Sequence, residues 1–354
     1  MAATRSVVLE RFGDPVEVRE GEGPGDGLLV AVQYGGVCGT DVHLQAGRLP
    51  IQVPIVLGHE GVGRVEAVAP GFERDALGAL LNVGDRVAWA SSIACGTCFY
   101  CRDVQEPTLC ERRRIYGITR PGSWSDRLAL EPGTAVVRLS DEQPSEAVIA
   151  LGCAGPTVVH GLLHVAPVRT GESVVVQGAG PVGLAAAMYA QLAGARPVIV
   201  IGAPERRLEL AASLGVGDER LNIETDDADA RLRRVRELTG GRGADLVVEC
   251  AGVPAAVSEA LDLVRPAGRV LVLGQYTDHG PTPLNPHLIT RKQLAVFGSW
   301  AFSAGHYLQY VRTVPQLLER FALEQLITPF PLQRAQDALT AARAGEVGKA
   351  VLVP

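Results

Sequence analysis

Four of the chain's seven cysteines fall within sixteen residues, as Cys95-x2-Cys98-x2-Cys101-x8-Cys110. Thiolates at this density can close a tetrahedron around a zinc ion and leave no position open, which makes a structural site rather than a reactive one. The competing reading is four reduced thiols in a surface loop. Arg102, Asp103 and Glu106 favour metal, because a lobe so polar has no apolar core and the ion would serve as one. Cys38, Cys153 and Cys250 stand alone, and an odd total distributed this way is a poor disulfide framework. It suits a reducing compartment, so the expected location is the cytoplasm.

A second chemistry is written in Gly178-Ala-Gly180-Pro181-Val182-Gly183, which follows the apolar run Val174-Val-Val-Gln and opens an Ala- and Leu-rich stretch. In a strand–turn–helix setting, Gly178 permits the tight turn and Gly180 lets the backbone approach a pyrophosphate. Gly183 lets helix and strand pack, while the first helical turn offers its unpaired N–H groups to the phosphates. The pattern predicts a dinucleotide site. The next strand should then end on an Asp or Glu that takes the ribose hydroxyls of NAD. Gly202 stands there instead, followed by Ala-Pro-Glu205-Arg206-Arg207. Either the opening admits a 2′-phosphate beside Arg206 or Arg207, or Glu205 and backbone groups serve the ribose. The acid at 205 would repel a phosphate, so the expectation is NAD over NADP.

Other potential ligands are scattered: Cys38 in Gly-Val-Cys38-Gly-Thr40-Asp41-Val-His43, His59 in Leu-Gly-His59-Glu60-Gly, and Cys153 in Leu-Gly-Cys153-Ala-Gly. No spacing rule joins them. Taken alone, Cys153 reads as a packed core cysteine, Thr40 as a turn hydroxyl and His43 as a loop histidine.

The elements that must position these groups are legible in outline. The 354 residues amount to about two domains. Apolar residues make up 47%, which excludes a disordered or fibrous chain, and a net charge of −6 argues against nucleic acid or an anionic membrane surface as main partner. The opening residues reach Glu10 before any apolar run of signal-peptide length, and no stretch is long enough to span a bilayer. Up to about residue 150, Gly and Pro separate short strand-like runs at 28–32, 63–68, 85–90 and 135–139, which predicts a mostly β domain. From about residue 173, strands at 173–177, 198–201, 245–250 and 269–273 alternate with helices at 181–193, 205–214 and 255–264, the rhythm of a doubly wound parallel sheet. The charged run 226–236 reads as a solvated helix face, and a helix near 306–321 with a strand at 350–353 completes the chain.

Taken together, these motifs resemble the zinc-dependent medium-chain dehydrogenase/reductase family, the zinc alcohol dehydrogenases, over nearly the whole chain and in the same order. The runs 201–207 and 242–249 look closer to a bacterial branch than to the ethanol-oxidising enzymes. The resemblance implies an α/β fold: a GroES-like, mostly β catalytic domain (1–154 and 301–354, zinc lobe about 95–110) and a Rossmann coenzyme domain (155–300). It implies two zinc ions per chain. Cys38, His59 and Cys153 match the ligands of the catalytic ion, Glu60 the acid beside it and Asp41 its supporting carboxylate. Thr40 and His43 match a proton relay. The four-cysteine lobe matches the structural site, although its last gap is one residue longer than the family's usual seven. Lys349 matches a basic residue near the pyrophosphate, and Gln275 a residue beside the nicotinamide. By family position, Ser91, Trp124 and Trp300 should line the substrate pocket with Ile115 or Tyr116 near its mouth, an apolar wall suited to a bulky or cyclic secondary alcohol.

The implied activity is interconversion of an alcohol and its carbonyl with a nicotinamide cofactor, in a homodimer or homotetramer paired near residues 294–300. Two rivals stand beside it. One is a zinc-free quinone or enoyl reductase of the same superfamily, and the other a non-enzymatic protein that binds nucleotide and zinc.

Overall fold

The computed structural model describes residues 3–354. The chain forms two compact units, the first running to Pro156 and completed by Phe302–Leu318 and Leu323–Pro354, the second comprising Thr157–Ala301 with Glu319–Ala322.

The first unit sets a seven-stranded sheet beside a three-stranded and a two-stranded one, mostly of short strands as its Gly- and Pro-punctuated runs require. Its largest sheet has the strand order Val136–Arg138, Arg86–Trp89, Gly61–Ala67, Leu28–Gly36, Lys349–Val353, Ile327–Pro331, with Arg127–Leu130 also paired to Leu28–Gly36. The strand Leu28–Gly36 alternates buried and half-buried residues, so Leu28, Val30 and Val32 enter a core with Val87, Trp89 and Leu128. A second core gathers Val7, Leu9, Leu44, Leu57, Trp124, Leu339 and Leu352. It packs the helices Gly39–Gln45 and Ala335–Ala344 against the sheet end on which the scattered ligands lie. The four-cysteine lobe holds only a helical turn, Phe99–Arg102, and a 3-10 turn, Pro107–Leu109, above the pair Ser92–Ile93 and Arg114–Ile115.

The second unit is a six-stranded, wholly parallel sheet. Its strands are β1 (Val174–Gln177), β2 (Val198–Gly202), β3 (Glu219–Asn222), β4 (Ala244–Glu249), β5 (Val264–Val272) and β6 (Ala295–Gly298). Helices α1 (Pro181–Leu192), α2 (Glu205–Ser213), α3 (Ala228–Leu238), α4 (Pro254–Leu263) and α5 (Pro286–Lys292) connect them. Strand order is β3-β2-β1-β4-β5-β6, so the winding direction reverses between β1 and β4, and ligands of such sheets bind at the carboxyl ends beside that reversal. β1 is buried along its length, which is why it reads as an unbroken apolar run. Pro181 at the first helical position starts α1, and the small residues Ala185, Ala186 and Ala187 let it lie flat on the sheet. In α3 only Val235 is buried, so the charged run is a solvated face, capped by Asp227, whose side chain accepts from the Ala230 N–H at 2.7 Å.

Candidate functional site

The first cluster begins with a helix start. Cys38 is the N-cap of Gly39–Gln45, and Asp41, three residues on, reaches back so that its Oδ2 accepts the Cys38 N–H at 2.8 Å. This leaves Oδ1 for the Nδ1 of His59, 3.3 Å away. Asp41 is fully buried, and His59 and Glu60 are nearly so. Gly58 delivers His59 to this place: its φ is +97°, and a Cβ there would stand 2.3 Å from Cδ1 of Trp124, so only glycine passes the indole.

One donor atom from each of Cys38, His59, Glu60 and Cys153 lies within 4.8 Å of the others. With Nδ1 held by Asp41, the free ring nitrogen of His59 is the donor left over, and Nε2 is buried with no hydrogen-bond partner. A buried imidazole nitrogen facing two thiols is what a zinc site needs and what an apolar core would not tolerate. The Cys38 thiol lies well below its ordinary range through its hydrogen bond with Cys153, which is itself pushed well above it by that bond and by burial. The residues fit a tetrahedral ion. Thr40 Oγ1 is 3.9 Å from Cys38 Sγ, and His43 is half-buried one helical turn beyond.

Lys349 belongs to this cluster. Its Nζ donates to Glu60 Oε1 at 2.5 Å, both side chains are buried, and Glu60 Oε2 has no partner. Burial pushes the Glu60 carboxyl up against the opposing pull of Lys349. An ammonium buried against a carboxylate in this way is held by it.

In the four-cysteine lobe, the sulfurs of Cys95, Cys98, Cys101 and Cys110 again lie within 4.8 Å of one another. Backbone N–H groups point at them: Cys95 N–H donates to Cys110 Sγ at 3.2 Å, and Cys98 N–H and Thr97 N–H to Cys95 Sγ at 3.3 and 3.4 Å. The Thr97 N–H, foremost, draws the Cys95 thiol down to about 5, while burial beside Cys98 pushes Cys101 up to about 12. Such crowding lets the thiols ionise together only around a cation, and the longer last gap does not part them.

At the carboxyl ends of the parallel strands, Gly178 has φ +111°, and a Cβ on Gly183 would stand 1.8 Å from the Gly178 carbonyl oxygen. Above Gly180, by contrast, a Cβ would meet nothing closer than Arg207 Nη1 at 3.9 Å. The loop is a cradle open on one side, and it fits a pyrophosphate. Pro181 and Val182 start α1 beneath it. Gly202 ends β2 and is buried, Arg206 is exposed, and Arg207 half-buried.

Glu249, which sequence reasoning passed over, is fully buried at the end of β4. Its Oε1 accepts the Gly252 N–H at 2.7 Å and its Oε2 the Gly274 N–H at 3.2 Å, tying the turns after β4 and β5 together. The available signal was an acid closing an otherwise apolar strand. Gln275 follows the second turn, half-buried, and its Nε2 finds no partner.

Three of the residues expected to wall the pocket are buried. Trp124 is wholly buried, with Nε1 donating to the Gly36 carbonyl at 2.9 Å, because a large amphipathic ring packs best where its one donor is satisfied. Tyr116 is buried in the other core, its hydroxyl bonded to Thr134 Oγ1 and to the Glu131 N–H. Ser91 is buried beside it, its carbonyl accepting the Tyr116 N–H at 2.9 Å. Trp300 alone of the named aromatics is exposed, at 43%, and stacks on Tyr276 in the second unit with ring centroids 6.1 Å apart. Ile115 is half-buried in the pair Ser92–Ile93 and Arg114–Ile115.

Residues 23–141 match the family model of the alcohol dehydrogenase GroES-like domain, and residues 181–322 that of the zinc-binding dehydrogenase. The chain is 39% identical to 5-exo-hydroxycamphor dehydrogenase of Pseudomonas putida, over 92% of this chain and 91% of that one. The crystal structure of an alcohol dehydrogenase from Thermotoga maritima superposes over 100% of both chains with a TM-score of 0.93 at 33% identity. A zinc-binding dehydrogenase from Sinorhizobium meliloti, bound to NADP, does so over 100% of both chains with a TM-score of 0.87 at 27% identity. Among the described residues, no helix is long and apolar enough to cross a membrane. Likeness of this extent in sequence and in fold makes the chain an enzyme of the zinc-dependent medium-chain dehydrogenase/reductase family, the zinc-type alcohol dehydrogenases.

Proposed function

We propose that the enzyme interconverts a bulky or cyclic secondary alcohol and its ketone, with Cys38, His59 and Cys153 holding a reactive zinc and the four-cysteine lobe a structural one. The observation that carries this reading is the buried, unpartnered Nε2 of His59 set among two thiols and a carboxylate. Support for the substrate class comes from the relative named for a hydroxycamphor, a bulky cyclic secondary alcohol. A zinc ion held there would supply Lewis acidity at the substrate oxygen, and a bound nicotinamide cofactor would supply the hydride acceptor.

The chain's own residues do the rest. Asp41 fixes the ring and tautomer of His59, keeping Nε2 as the donor. Two thiolates and a neutral imidazole cancel the charge of a divalent zinc, which leaves room for an anionic substrate oxygen. Thr40 takes the proton of the substrate hydroxyl, and His43 passes it towards solvent. Glu60 stands by as a further donor, its charge balanced by Lys349. The residues 178–183 bind the pyrophosphate, and the turn held by Glu249 presents the backbone at Gln275 to the nicotinamide. Exposed residues of β6, an edge strand, suit pairing of two copies into a dimer or tetramer. Thiols grouped for metal rather than disulfides suit the cytoplasm.

The test is His59→Ala and Cys153→Ala. Each should lose one zinc equivalent by elemental analysis and all NAD(P)-linked turnover across a panel of cyclic and acyclic alcohols. Affinity for the reduced cofactor should change by less than about twofold. Full activity in either variant would overturn the assignment.

A further inference from the structure

In a Rossmann sheet, the adenosine ribose lies at the end of the second strand, and an acid there selects NAD. Here that position is closed to any side chain. A Cβ on Gly202 would stand 2.7 Å from the Cβ of Ala179 and 2.9 Å from its backbone nitrogen. The nearby acid, Glu205, is committed elsewhere: its Oε2 accepts Asn222 Nδ2 at 2.5 Å, at the end of β3. The acid that follows β2 is thus drawn towards β3 by its own hydrogen bond.

Arg207 shows the complement. It sits on the first turn of α2, directly after β2, half-buried, and its guanidinium makes no hydrogen bond or ion pair among the described residues. Nη1 points to the phosphate loop, 3.9 Å from where a Cβ of Gly180 would be. Burial and the neighbouring charge of Arg206 both lower its pKa from the ordinary value, so the cation is held without a counter-charge. Five donors in a fixed fork, partly dry and unpaired beside a phosphate cradle, form an anion site.

We propose that Arg207 docks the 2′-phosphate of NADP, so that the enzyme prefers NADP to NAD. This reverses the preference expected from the sequence, and it rests on the reading that residues 178–183 hold a dinucleotide. Arg207 follows the strand end that carries the ribose rather than the loop that carries the pyrophosphate, which is why the 2′-phosphate is the chosen ligand.

Isothermal titration of the full chain with ADP, 5′-AMP and 2′-AMP tests it, with Arg207→Gln and Arg207→Lys alongside. Wild type should bind 2′-AMP about tenfold or more tighter than 5′-AMP. Arg207→Gln should weaken 2′-AMP by about tenfold to hundredfold and ADP by less than about twofold, with Arg207→Lys between the two. Equal affinity of wild type for the two monophosphates would overturn the proposal. So would equal weakening of ADP and 2′-AMP, which would place the guanidinium on the pyrophosphate. Failure of wild type to bind ADP at all would overturn the dinucleotide reading and the proposal with it.

Discussion

Gly180 and Gly183 lie three residues apart in one loop, yet alanine at each should do different damage. A methyl on Gly183 would sit 1.8 Å from the Gly178 carbonyl oxygen, where carbon and oxygen need about 3.3 Å or more. The obstacle is backbone, so the loop itself must move by more than an ångström. That exceeds ordinary overpacking, and Gly183→Ala should destabilise the second unit by about 3 kcal/mol. At Gly180 the φ is −82°, which alanine adopts freely, and the methyl would meet only the tip of Arg207. Because Gly180 is the N-cap of α1, the change should cost about 1 kcal/mol or less. It would, however, fill the space through which a pyrophosphate approaches, and ADP affinity should fall by at least about tenfold. Denaturant unfolding measures the first effect, and calorimetric titration with ADP the second. Unchanged ADP affinity in Gly180→Ala would show that no phosphate lies over that residue. Wild-type stability in Gly183→Ala would show that the turn is not packed as described.

Two further outcomes are expected. Cys98→Ser should release one zinc equivalent and lower the unfolding temperature while the zinc at Cys38, His59 and Cys153 remains, and a variant that kept all its metal would remove the structural role. Asp245→Asn addresses pH: burial pushes this carboxyl up, but hydrogen bonds from Ser173 and the contact with Arg265 outweigh it and hold it below its ordinary value. A depressed folded value stabilises above the unfolded value of about 3.9 and is lost as pH falls through the folded one. The substitution should therefore cost about 1–3 kcal/mol at neutral pH and progressively less below about pH 4, read by urea unfolding, and a gap that did not close in acid would refute the assignment.

What sequence made legible was whatever is encoded locally. The alternation of buried β1, β2 and β4 with helices, the Gly178–Gly183 turn and the spacing of four cysteines each announce themselves within a few residues. β3 escaped notice because Glu-Arg-Leu-Asn carries no apolar run, its pairing with β2 being supplied by the sheet. The burial of Trp124 and Tyr116 was equally hidden, since partners such as Gly36, 88 residues away, decide it. Lys349 shows the limit most plainly. A basic residue before an apolar strand says nothing of a carboxylate 289 residues earlier, and only the fold reveals that one neutralises the other.

The first unit's large sheet inserts Lys349–Val353 between Leu28–Gly36 and Ile327–Pro331. All donors of the first metal cluster have left the ribosome once Cys153 has, but the strand that closes their sheet is nearly the last part of this sequence to be made. The second unit, almost contiguous, is complete well before that. The sheet behind Cys38, His59 and Cys153 is consequently closed only after the residues of the second unit have been made. Until then the nascent polypeptide carries those thiols unassembled, dependent on the reducing power around it and vulnerable to any stall in translation after the second unit has formed.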